Sequence, residues 1–251
     1  MLSWVGDDEF MIDGVSYRMW NTIREQPAPE AGQMLILKPR VFVERYVELV
    51  ERMRPRNIVE LGILAGGSTA FLAQIARPDR LVAVDLSTER VAALEQFIDA
   101  HGLRRSVSAH YGVDQSDTEQ LTDLVVQEFA GAPLDLVVDD ASHLLGPTRA
   151  SFNCLFPRLR PGGAYLVEDW AWAHIGLDLA EDLREAVPLS VFVLELVLGC
   201  ASAPKLIADV TVQRGWALVQ RGPATVDPAS FNVSECLDEV GRDMLAKLEP
   251  R

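Results

Sequence analysis

The sequence predicts a doubly wound α/β fold with a mostly parallel sheet. Apolar, β-rich segments recur along the middle of the chain, and segments with helical spacing of apolar residues lie between them. Strands that are covered on both faces read as continuous apolar runs, which is typical of parallel sheets. Because strand alternates with helix, right-handed βαβ crossovers are expected between neighbouring strands.

Five strands are expected in the central part of the chain, four of them strongly apolar and the third weaker. The segments are NIVELG (57–62), RLVAVDL (80–86), SVSAHYG (106–112), LDLVVDD (134–140) and GAYLVEDW (163–170). Helical patterns follow the first three of these strands, with apolar residues at three- and four-residue intervals. Strand and helix therefore alternate over the whole central region.

The N-terminal end carries the signal of a β-hairpin. Asp13 and Gly14 separate two short apolar and aromatic stretches within residues 8–20. A helix is expected to begin near Pro39 and to end at about Arg52, before a second proline.

The C-terminal end carries two further strands. LIADVTVQ (206–213) and WALVQRG (216–222) flank an Arg-Gly pair, which predicts an antiparallel hairpin at the sheet edge. Residues 235–248 have helical spacing. We expect one domain, with an N-terminal hairpin and cap segment (1–38), a core (39–222) and a C-terminal extension (223–251).

Composition and charge exclude several classes of function. The 251-residue chain is 49% hydrophobic and 24% charged, which is near the globular average. A net charge of −14 without a Lys/Arg cluster argues against a nucleic-acid partner. Three scattered cysteines suit a reducing compartment, and the acidic N-terminus is unlike a signal peptide. The longest apolar run (191–200) is too short to span a bilayer, so a cytoplasmic protein without a membrane partner is expected.

A glycine-rich turn, VELGILAGGSTAFLA (59–73), joins the first strand to a helix. Glycine tolerates positive φ and lets a ligand approach the backbone, and the helix behind the turn has unpaired N–H groups. Open α/β sheets bind nucleotides at such a turn. The G-x-x-x-G-G spacing differs from that of dinucleotide folds, and no Gly-Lys-Ser/Thr follows, which excludes a P-loop. The candidate binding residues are Glu60, Gly62, Gly66 and Ser68.

An acidic residue, Asp85, ends the second strand 25 residues after Glu60. A carboxylate at this place can accept hydrogen bonds from both ribose hydroxyls of a nucleoside. The alternative is a cap of the next helix, since Ser87 and Thr88 follow.

This combination of acids and glycines resembles motif I of the class I S-adenosylmethionine methyltransferases, E/D-x-G-x-x-x-G. The resemblance covers roughly residues 40–220 and implies a Rossmann-like, seven-stranded sheet that ends in an antiparallel hairpin. It implies that Glu60 lies near the methionine end of the cofactor. It also implies that Asp114 or Gln115 contacts the adenine amino group, whereas the alternative for that segment is a solvated loop.

Acidic pairs end the next two strands. Asp139 and Asp140 end one strand, His143 follows three residues later, and Glu168 and Asp169 end the next strand. Crowded carboxylates without a basic partner raise one another's pKa, and a divalent cation relieves this repulsion. Oxygen ligands favour Mg²⁺, Ca²⁺ or Mn²⁺. Because side chains alternate along a strand, one of the first two acids is expected to face the cofactor and the other the metal. The alternative is that these acids cap helices.

The spacing D-x-x-H, followed 25 residues later by E-D, is similar to that of the metal-dependent natural-product O-methyltransferases, which act on antibiotic sugars. The resemblance implies S-adenosyl-L-methionine and Mg²⁺, or another hard divalent cation, as cofactors. It implies Asp140, Glu168 and Asp169 as metal ligands, His143 as general base, and a cofactor contact for Asp139. The tryptophans of VEDWAWAH depart from the pattern, and so does the N-terminal hairpin. These departures leave the substrate open.

Methyl transfer to a hydroxyl of a small molecule, in the first place a natural-product sugar, is the expected activity. One alternative is a catechol or caffeoyl-type acceptor, on which Trp170 and Trp172 would stack. Another is a non-catalytic nucleoside-binding protein. Of the other histidines, His101 is expected to cap a helix end, His110 to be structural and His174 to be a candidate substrate contact. A homo-oligomer is compatible with the sequence.

Overall fold

The computed structural model describes residues 2–20, 27, 28, 30, 32–175 and 186–248. The chain divides into two compact units, residues 1–112 and 113–251. The first unit contains seven of the described strands and three helices. They are β1 (Leu2–Trp4), β2 (Glu9–Ile12), β3 (Val15–Met19), β4 (Gln33–Ile36), α1 (Arg40–Met53), β5 (Asn57–Leu61), α2 (Gly67–Ala76), β6 (Arg80–Asp85), α3 (Ala92–Ala100) and β7 (Val107–Tyr111).

The second unit contains the remaining described strands and helices. They are α4 (Thr118–Phe129), β8 (Leu134–Asp139), α5 (Leu145–Leu155), β9 (Leu159–Glu168), α6 (Ser190–Ser202), β10 (Ile207–Gln213), β11 (Trp216–Arg221) and α7 (Glu239–Leu245). Short 3-10 turns lie at Phe156–Arg158, Trp172–His174 and Val233–Cys236. No helix among the described residues is both long enough and apolar enough to cross a membrane.

The predicted α/β fold is confirmed. Seven strands form one sheet in the order β10-β11-β9-β8-β5-β6-β7. The β5–β6, β6–β7 and β8–β9 pairs are parallel, whereas β11 pairs antiparallel with both β9 and β10. The parallel strands β5, β6, β8 and β9 are almost wholly buried, which explains their continuous apolar runs. Parallel strands of one unit end at the same edge, and this brings their terminal acids together.

The N-terminal hairpin is also confirmed, and it belongs to a larger sheet. Ile12 pairs with Val15, and the two turn residues Asp13 and Gly14 have φ values of 47° and 87°. Such a two-residue left-handed turn matches the twist of the flanking strands. The sheet has the order β1-β2-β3-β4, and the sequence did not predict its outer strands β1 and β4. β1 is only three residues long, and the four residues of β4 are all buried, so β4 shows no alternating pattern.

The strand β4 packs closely on the start of α2. A Cβ atom on Gly67 would lie 2.0 Å from the backbone oxygen of Leu35. No side chain fits in that space, so Gly67 is required by the contact between these two elements.

The predicted helices differ from the structure mainly at their ends. Helix α1 covers Arg40–Met53, close to the expected range. The helical pattern of residues 235–248 is only partly realised. A 3-10 turn is followed by the short helix α7, because Leu237 is extended and the Asp238 carboxylate accepts a hydrogen bond from Gly241 N–H.

Candidate active site

The glycine turn between β5 and α2 is shaped by positive backbone angles. Gly62 has φ 98° and Gly66 has φ 81°, and Gly66 is the N-cap residue of α2. No described side chain caps this helix, which leaves its first N–H groups available to a ligand. A Cβ on Gly66 would lie 2.7 Å from Leu94 Cβ. The absence of a side chain at Gly66 is therefore required by packing against α3, and a contact of its backbone with a cofactor stays a prediction.

The predicted acid of this turn, Glu60, is buried on β5. Its Oε2 accepts a hydrogen bond of 2.6 Å from the Thr69 hydroxyl, which ties the strand to α2. Ser68 lies half-buried in the first turn of the same helix. The sequence indicated Glu60 and Ser68 but gave no sign of the role of Thr69.

Asp85 holds the backbone of the glycine turn. Its Oδ2 accepts hydrogen bonds from Ile63 N–H at 2.8 Å and from Leu64 N–H at 3.1 Å, and its Oδ1 accepts one from Ser87 N–H at 2.8 Å. Helix α3 begins after Val91, so Asp85 is not the residue that caps it. A carboxylate offers about four acceptor positions, so Asp85 can still accept a bond from a ribose hydroxyl.

Two exposed apolar side chains flank Asp85, and sequence reasoning missed both. Leu64 and Leu86 expose 54% and 69% of their surfaces. Leu64 also has a left-handed backbone, with φ 47°. For Leu86, the sequence signal was an apolar residue directly after Asp85, the acid that ends β6.

Asp139 and Gln115 belong to one buried hydrogen-bond network. The Asp139 carboxylate accepts hydrogen bonds from Tyr165 at 2.7 Å, Ser151 at 3.0 Å and Gln115 Nε2 at 3.2 Å. Burial raises the pKa of Asp139, while the bonds from Tyr165 and Ser151 act in the opposite direction. The Gln115 carbonyl accepts a bond from Ser142 N–H. These two predicted cofactor contacts are thus bonded to each other, and their role toward a cofactor stays a prediction.

Asp114 lies beside this network but is exposed. Its Oδ1 accepts hydrogen bonds from the Ser116 N–H at 2.8 Å and the Ser116 hydroxyl at 2.7 Å, and these bonds lower its pKa. Asp114 therefore carries a negative charge at neutral pH and faces solvent.

Three of the predicted site residues form a cluster that is able to hold a metal ion. Asp140, His143 and Asp169 each offer one ligand atom, and these atoms all lie within 4.8 Å of one another. His143 Nε2 is 3.8 Å from Asp140 Oδ1. Asp139 is buried at the end of β8, whereas Asp140, the next residue, is partly exposed. Two carboxylates and an imidazole are a donor set that divalent cations accept, so the cluster fits such an ion.

The fourth predicted acid, Glu168, is placed differently. It is 2% exposed and is not a member of the cluster, although Asp169 follows it directly. Glu168 is the last residue of the buried strand β9, whereas Asp169 lies beyond its end with a left-handed backbone. A role of Glu168 as a metal ligand stays a prediction.

The alternative that the acids after β8 cap a helix finds no support. Helix α5 begins at Leu145 with Leu144 as its N-cap, and no described side chain makes a capping hydrogen bond there. Asp140 and His143 therefore lie in a loop before the helix rather than at its cap position.

The backbone of the cluster is unusual at two of its three residues. His143 has φ 56° and Asp169 has φ 50°, values that non-glycine residues seldom adopt. Three hydrogen bonds hold these residues. Asp169 N–H donates to Gly215 O at 2.8 Å, Trp172 N–H donates to Asp169 O at 3.1 Å, and the Trp172 indole donates to His143 O at 2.9 Å. Such strained residues persist only where the surroundings hold them, and they concentrate at functional sites.

An open cavity of about 640 Å³ adjoins Asp169 in the chain. Its lining consists of Trp170, Ala171, His174, Ile175, Val212, Gln213 and Arg214. The Trp170 indole donates to Gln213 O at 2.8 Å, which fixes the ring as one wall. Trp172 is only 7% exposed, so it is not available to stack on an acceptor as the sequence suggested.

The remaining histidines have local partners. His101 ends α3, with its Nδ1 2.9 Å from Phe97 O, and His110 Nε2 lies 3.2 Å from the Ser108 hydroxyl. These contacts agree with the structural roles expected for both. His174 lines the cavity, and its Nε2 lies 2.8 Å from the Ser190 hydroxyl.

Comparison with known proteins identifies the domain type. Residues 59–170 match the family model of a methyltransferase domain. Mycinamicin VI 2''-O-methyltransferase from Micromonospora griseorubida is 34% identical over 104 residues, which is 41% of this chain and 25% of that protein. Catechol O-methyltransferase from Niastella koreensis is 30% identical over 120 residues, 47% of this chain and 51% of that protein. The matched part thus spans about half or less of these relatives.

A solved structure shares the fold. The MycE methyltransferase from the mycinamycin biosynthetic pathway, in complex with Mg, SAH and mycinamycin VI, aligns with a TM-score of 0.55 and 24% identity. The alignment covers 72% of this chain and 50% of that chain. The chain therefore carries a methyltransferase domain and resembles the class I S-adenosylmethionine-dependent O-methyltransferases, including those of natural-product pathways.

Proposed function

We propose that the protein is an S-adenosylmethionine-dependent and divalent-metal-dependent O-methyltransferase that acts on a hydroxyl of a natural-product sugar. The observation that carries this proposal is the cluster of Asp140, His143 and Asp169 at the ends of β8 and β9, within the matched methyltransferase domain. The relative that acts on mycinamicin VI supports a sugar-bearing acceptor.

The cofactor is assigned to the glycine turn and the segments that follow β6 and β7. Gly62 and Gly66 shape the turn with positive φ angles, while their own N–H groups donate to Val84 O and Ile63 O. Ser68 lies in the first turn of the uncapped helix, whose first N–H groups would face the ligand. Glu60 holds that turn from the buried side, and its carboxyl group is an acceptor for the amino end of the cofactor. These residues fit a cationic nucleoside better than a pyrophosphate, because acids flank the turn.

The nucleoside part of the cofactor is assigned to Asp85 and its neighbours. Asp85 has acceptor capacity left for a ribose hydroxyl, and the exposed Leu86 offers an apolar surface beside it. Asp114 is the exposed candidate for the adenine amino group. Gln115 and Asp139 are bonded to each other in the buried network, and Gln115 also accepts a bond from the loop that follows β8.

Asp140 and Asp169 are proposed to hold the metal ion, with Glu168 as a further ligand from β9. A bound divalent cation supplies Lewis acidity, which makes a nearby hydroxyl easier to deprotonate. Asp140 and Asp169 would hold the ion next to the acceptor, and an acceptor with two adjacent hydroxyls would offer it two oxygen atoms at once. A vicinal diol is therefore the favoured acceptor.

His143 is proposed to accept the proton of the reacting hydroxyl. Its ring lies at the cluster and is one quarter exposed, so it is accessible to an acceptor. General base catalysis typically contributes about 10²–10⁴-fold to a rate. The methyl group is already activated in the sulfonium cofactor, so alignment of donor and acceptor supplies the other main part of the rate.

The body of the acceptor is assigned to the cavity beside Asp169. Trp170 gives it a fixed flat wall, Ile175 and Val212 give it apolar surface, and Arg214 and His174 add polar groups. A ring-shaped glycoside fits such a mixed surface.

A catechol-type acceptor is the second candidate. The wall formed by Trp170 also suits an aromatic diol, and the relative from Niastella koreensis is named a catechol O-methyltransferase. Both acceptors place two adjacent hydroxyls at the cluster.

The test is methyl transfer with S-adenosylmethionine and Mg²⁺ against a panel of deoxysugar-bearing macrolides, nucleotide-linked deoxysugars and catechols, read as a gain of one methyl mass. Transfer to glycosides above catechols supports the proposal, and the reverse order supports the second candidate. Binding of cofactor with no transfer to any member would favour a nucleoside-binding protein instead.

A further inference from the structure

We infer that Trp172 is a positioning residue that joins the two metal-binding loops, an inference that rests on the proposed function. The sequence offered this tryptophan as a stacking partner for an aromatic acceptor, but it is only 7% exposed. Its contacts lead to the cluster instead.

The first contact fixes the loop after β8. The Trp172 indole N–H donates to the backbone oxygen of His143 at 2.9 Å. The indole N–H donates but does not accept, and a buried N–H needs an acceptor. The bond to His143 O therefore fixes the orientation of the Trp172 ring. The acceptor belongs to a residue with φ 56°, in the left-handed region that few non-glycine residues adopt.

The second contact fixes the loop after β9. The backbone N–H of Trp172 donates to Asp169 O at 3.1 Å, and Asp169 also has a left-handed backbone. One residue therefore bonds with its main chain to one member of the cluster and with its side chain to another. Both bonds end on backbone oxygens. They therefore fix the position of the backbone from which the imidazole of His143 and the carboxylate of Asp169 extend.

The consequence concerns metal affinity. Without the indole bond, His143 loses the group that opposes its return to an ordinary backbone angle, and the loop that carries Asp140 and His143 is free to move relative to Asp169. Removal of groups that orient metal ligands typically weakens metal binding by about 10- to 100-fold. Trp172 should therefore affect the metal site without touching the ion.

The test compares two tryptophan-to-phenylalanine variants that lose the same buried area. Trp172→Phe deletes the bond to His143. Trp20→Phe is the matched control, because Trp20 is 8% exposed and its buried indole donates to no acceptor in the described part of the chain. The affinity for Mn²⁺ is measured from the electron paramagnetic resonance signal of the free ion, without acceptor or turnover, and melting temperatures are recorded beside it.

We expect the dissociation constant for Mn²⁺ to rise by about 10-fold or more in Trp172→Phe and to stay within about twofold of wild type in Trp20→Phe. In the transfer assay, saturating metal should restore much of the kcat of Trp172→Phe, which a general loss of stability would not allow. If Trp172→Phe does not fold, replacement of Trp172 by 3-benzothienylalanine keeps the bicyclic shape and removes only the N–H.

Equal Mn²⁺ affinities in wild type and in the variants at Trp172 would overturn the inference and leave the proposed function intact. Failure of the wild-type protein itself to bind Mn²⁺ would overturn the metal-dependent function, and the inference with it. The two failures are therefore distinguished by the wild-type measurement.

Discussion

The glycine turn after β5 and the acidic loops after β8 and β9 reach special backbone shapes in different ways. In the turn, two of the three positive φ angles fall on Gly62 and Gly66, where they cost little, and the third falls on Leu64, whose N–H donates to Asp85. In the acidic loops they fall on His143 and Asp169, where the surroundings must hold them. The turn therefore needs outside support at one residue, whereas the acidic loops have no glycine at either position and depend on their neighbours at both.

The acids of the two regions also differ in use. Glu60 and Asp85 bond to the protein's own hydroxyl and N–H groups, and so they build the turn. Asp140 and Asp169 are more exposed and gather with an imidazole. Carboxylates of the first kind shape the turn, and those of the second kind lie close enough together for a cation to bind between them.

The largest effect should come from the imidazole of the acidic loops. His143→Ala should lower kcat by about 10²–10⁴-fold with little change in metal and cofactor affinity, because the proton acceptor is lost. The measurements are kcat, Mn²⁺ affinity and melting temperature on the same variant.

Each alternative role of His143 gives a different pattern. If His143 is a metal ligand, the Mn²⁺ affinity should fall in His143→Ala. If His143 is purely structural, the variant should have a lower melting temperature and normal turnover per folded molecule. A near-normal kcat at every pH would contradict the assignment as base.

The buried support of the acidic loops should give the next largest effect. Asp139→Ala leaves the donors of Tyr165, Ser151 and Gln115 without their acceptor, so the free energy of unfolding should fall by about 3 kcal/mol. Asp139→Asn keeps one acceptor oxygen and should lose less. Urea unfolding of both variants measures the difference, and equal losses would show that the network does not depend on this oxygen.

The smallest effect should distinguish strain from packing in the glycine turn. Gly66→Ala meets both a positive φ and the Leu94 side chain, whereas Gly131→Ala meets a positive φ of 78° with nothing within 4 Å of the new Cβ. The control should lose about 1 kcal/mol and Gly66→Ala about 1–2 kcal/mol more. Equal losses in urea unfolding would mean that the turn tolerates a side chain toward α3.

The fold and the identity of the site segments could be predicted because they depend on local pattern. Buried parallel strands are apolar along their length, and a tight turn that a ligand approaches needs glycine. Both patterns can be recognised in the sequence of residues 57–170. The acids after β8 and β9 were found because strand ends of a parallel sheet meet at one edge.

The partners of these residues could not be predicted because they come from distant parts of the chain. Nothing near Asp139 in the sequence indicates that Tyr165 and Ser151 will bond to it, and nothing near His143 indicates Trp172. Ser151 lies on α5, Tyr165 on β9 and Trp172 beyond the end of β9, so these contacts form only when the elements pack. The burial of Trp172 also depends on packing, so the sequence could offer it as a stacking residue for an aromatic acceptor although it is only 7% exposed.

Chelation is the most direct test of the central claim that the acidic loops hold a catalytic metal ion. The protein is treated exhaustively with EDTA, and methyl transfer to an acceptor from the panel and binding of S-adenosylmethionine are measured before and after Mg²⁺ is restored. We expect transfer to be lost and then regained, while cofactor binding at the glycine turn persists throughout. Full transfer by the metal-free protein would contradict the account.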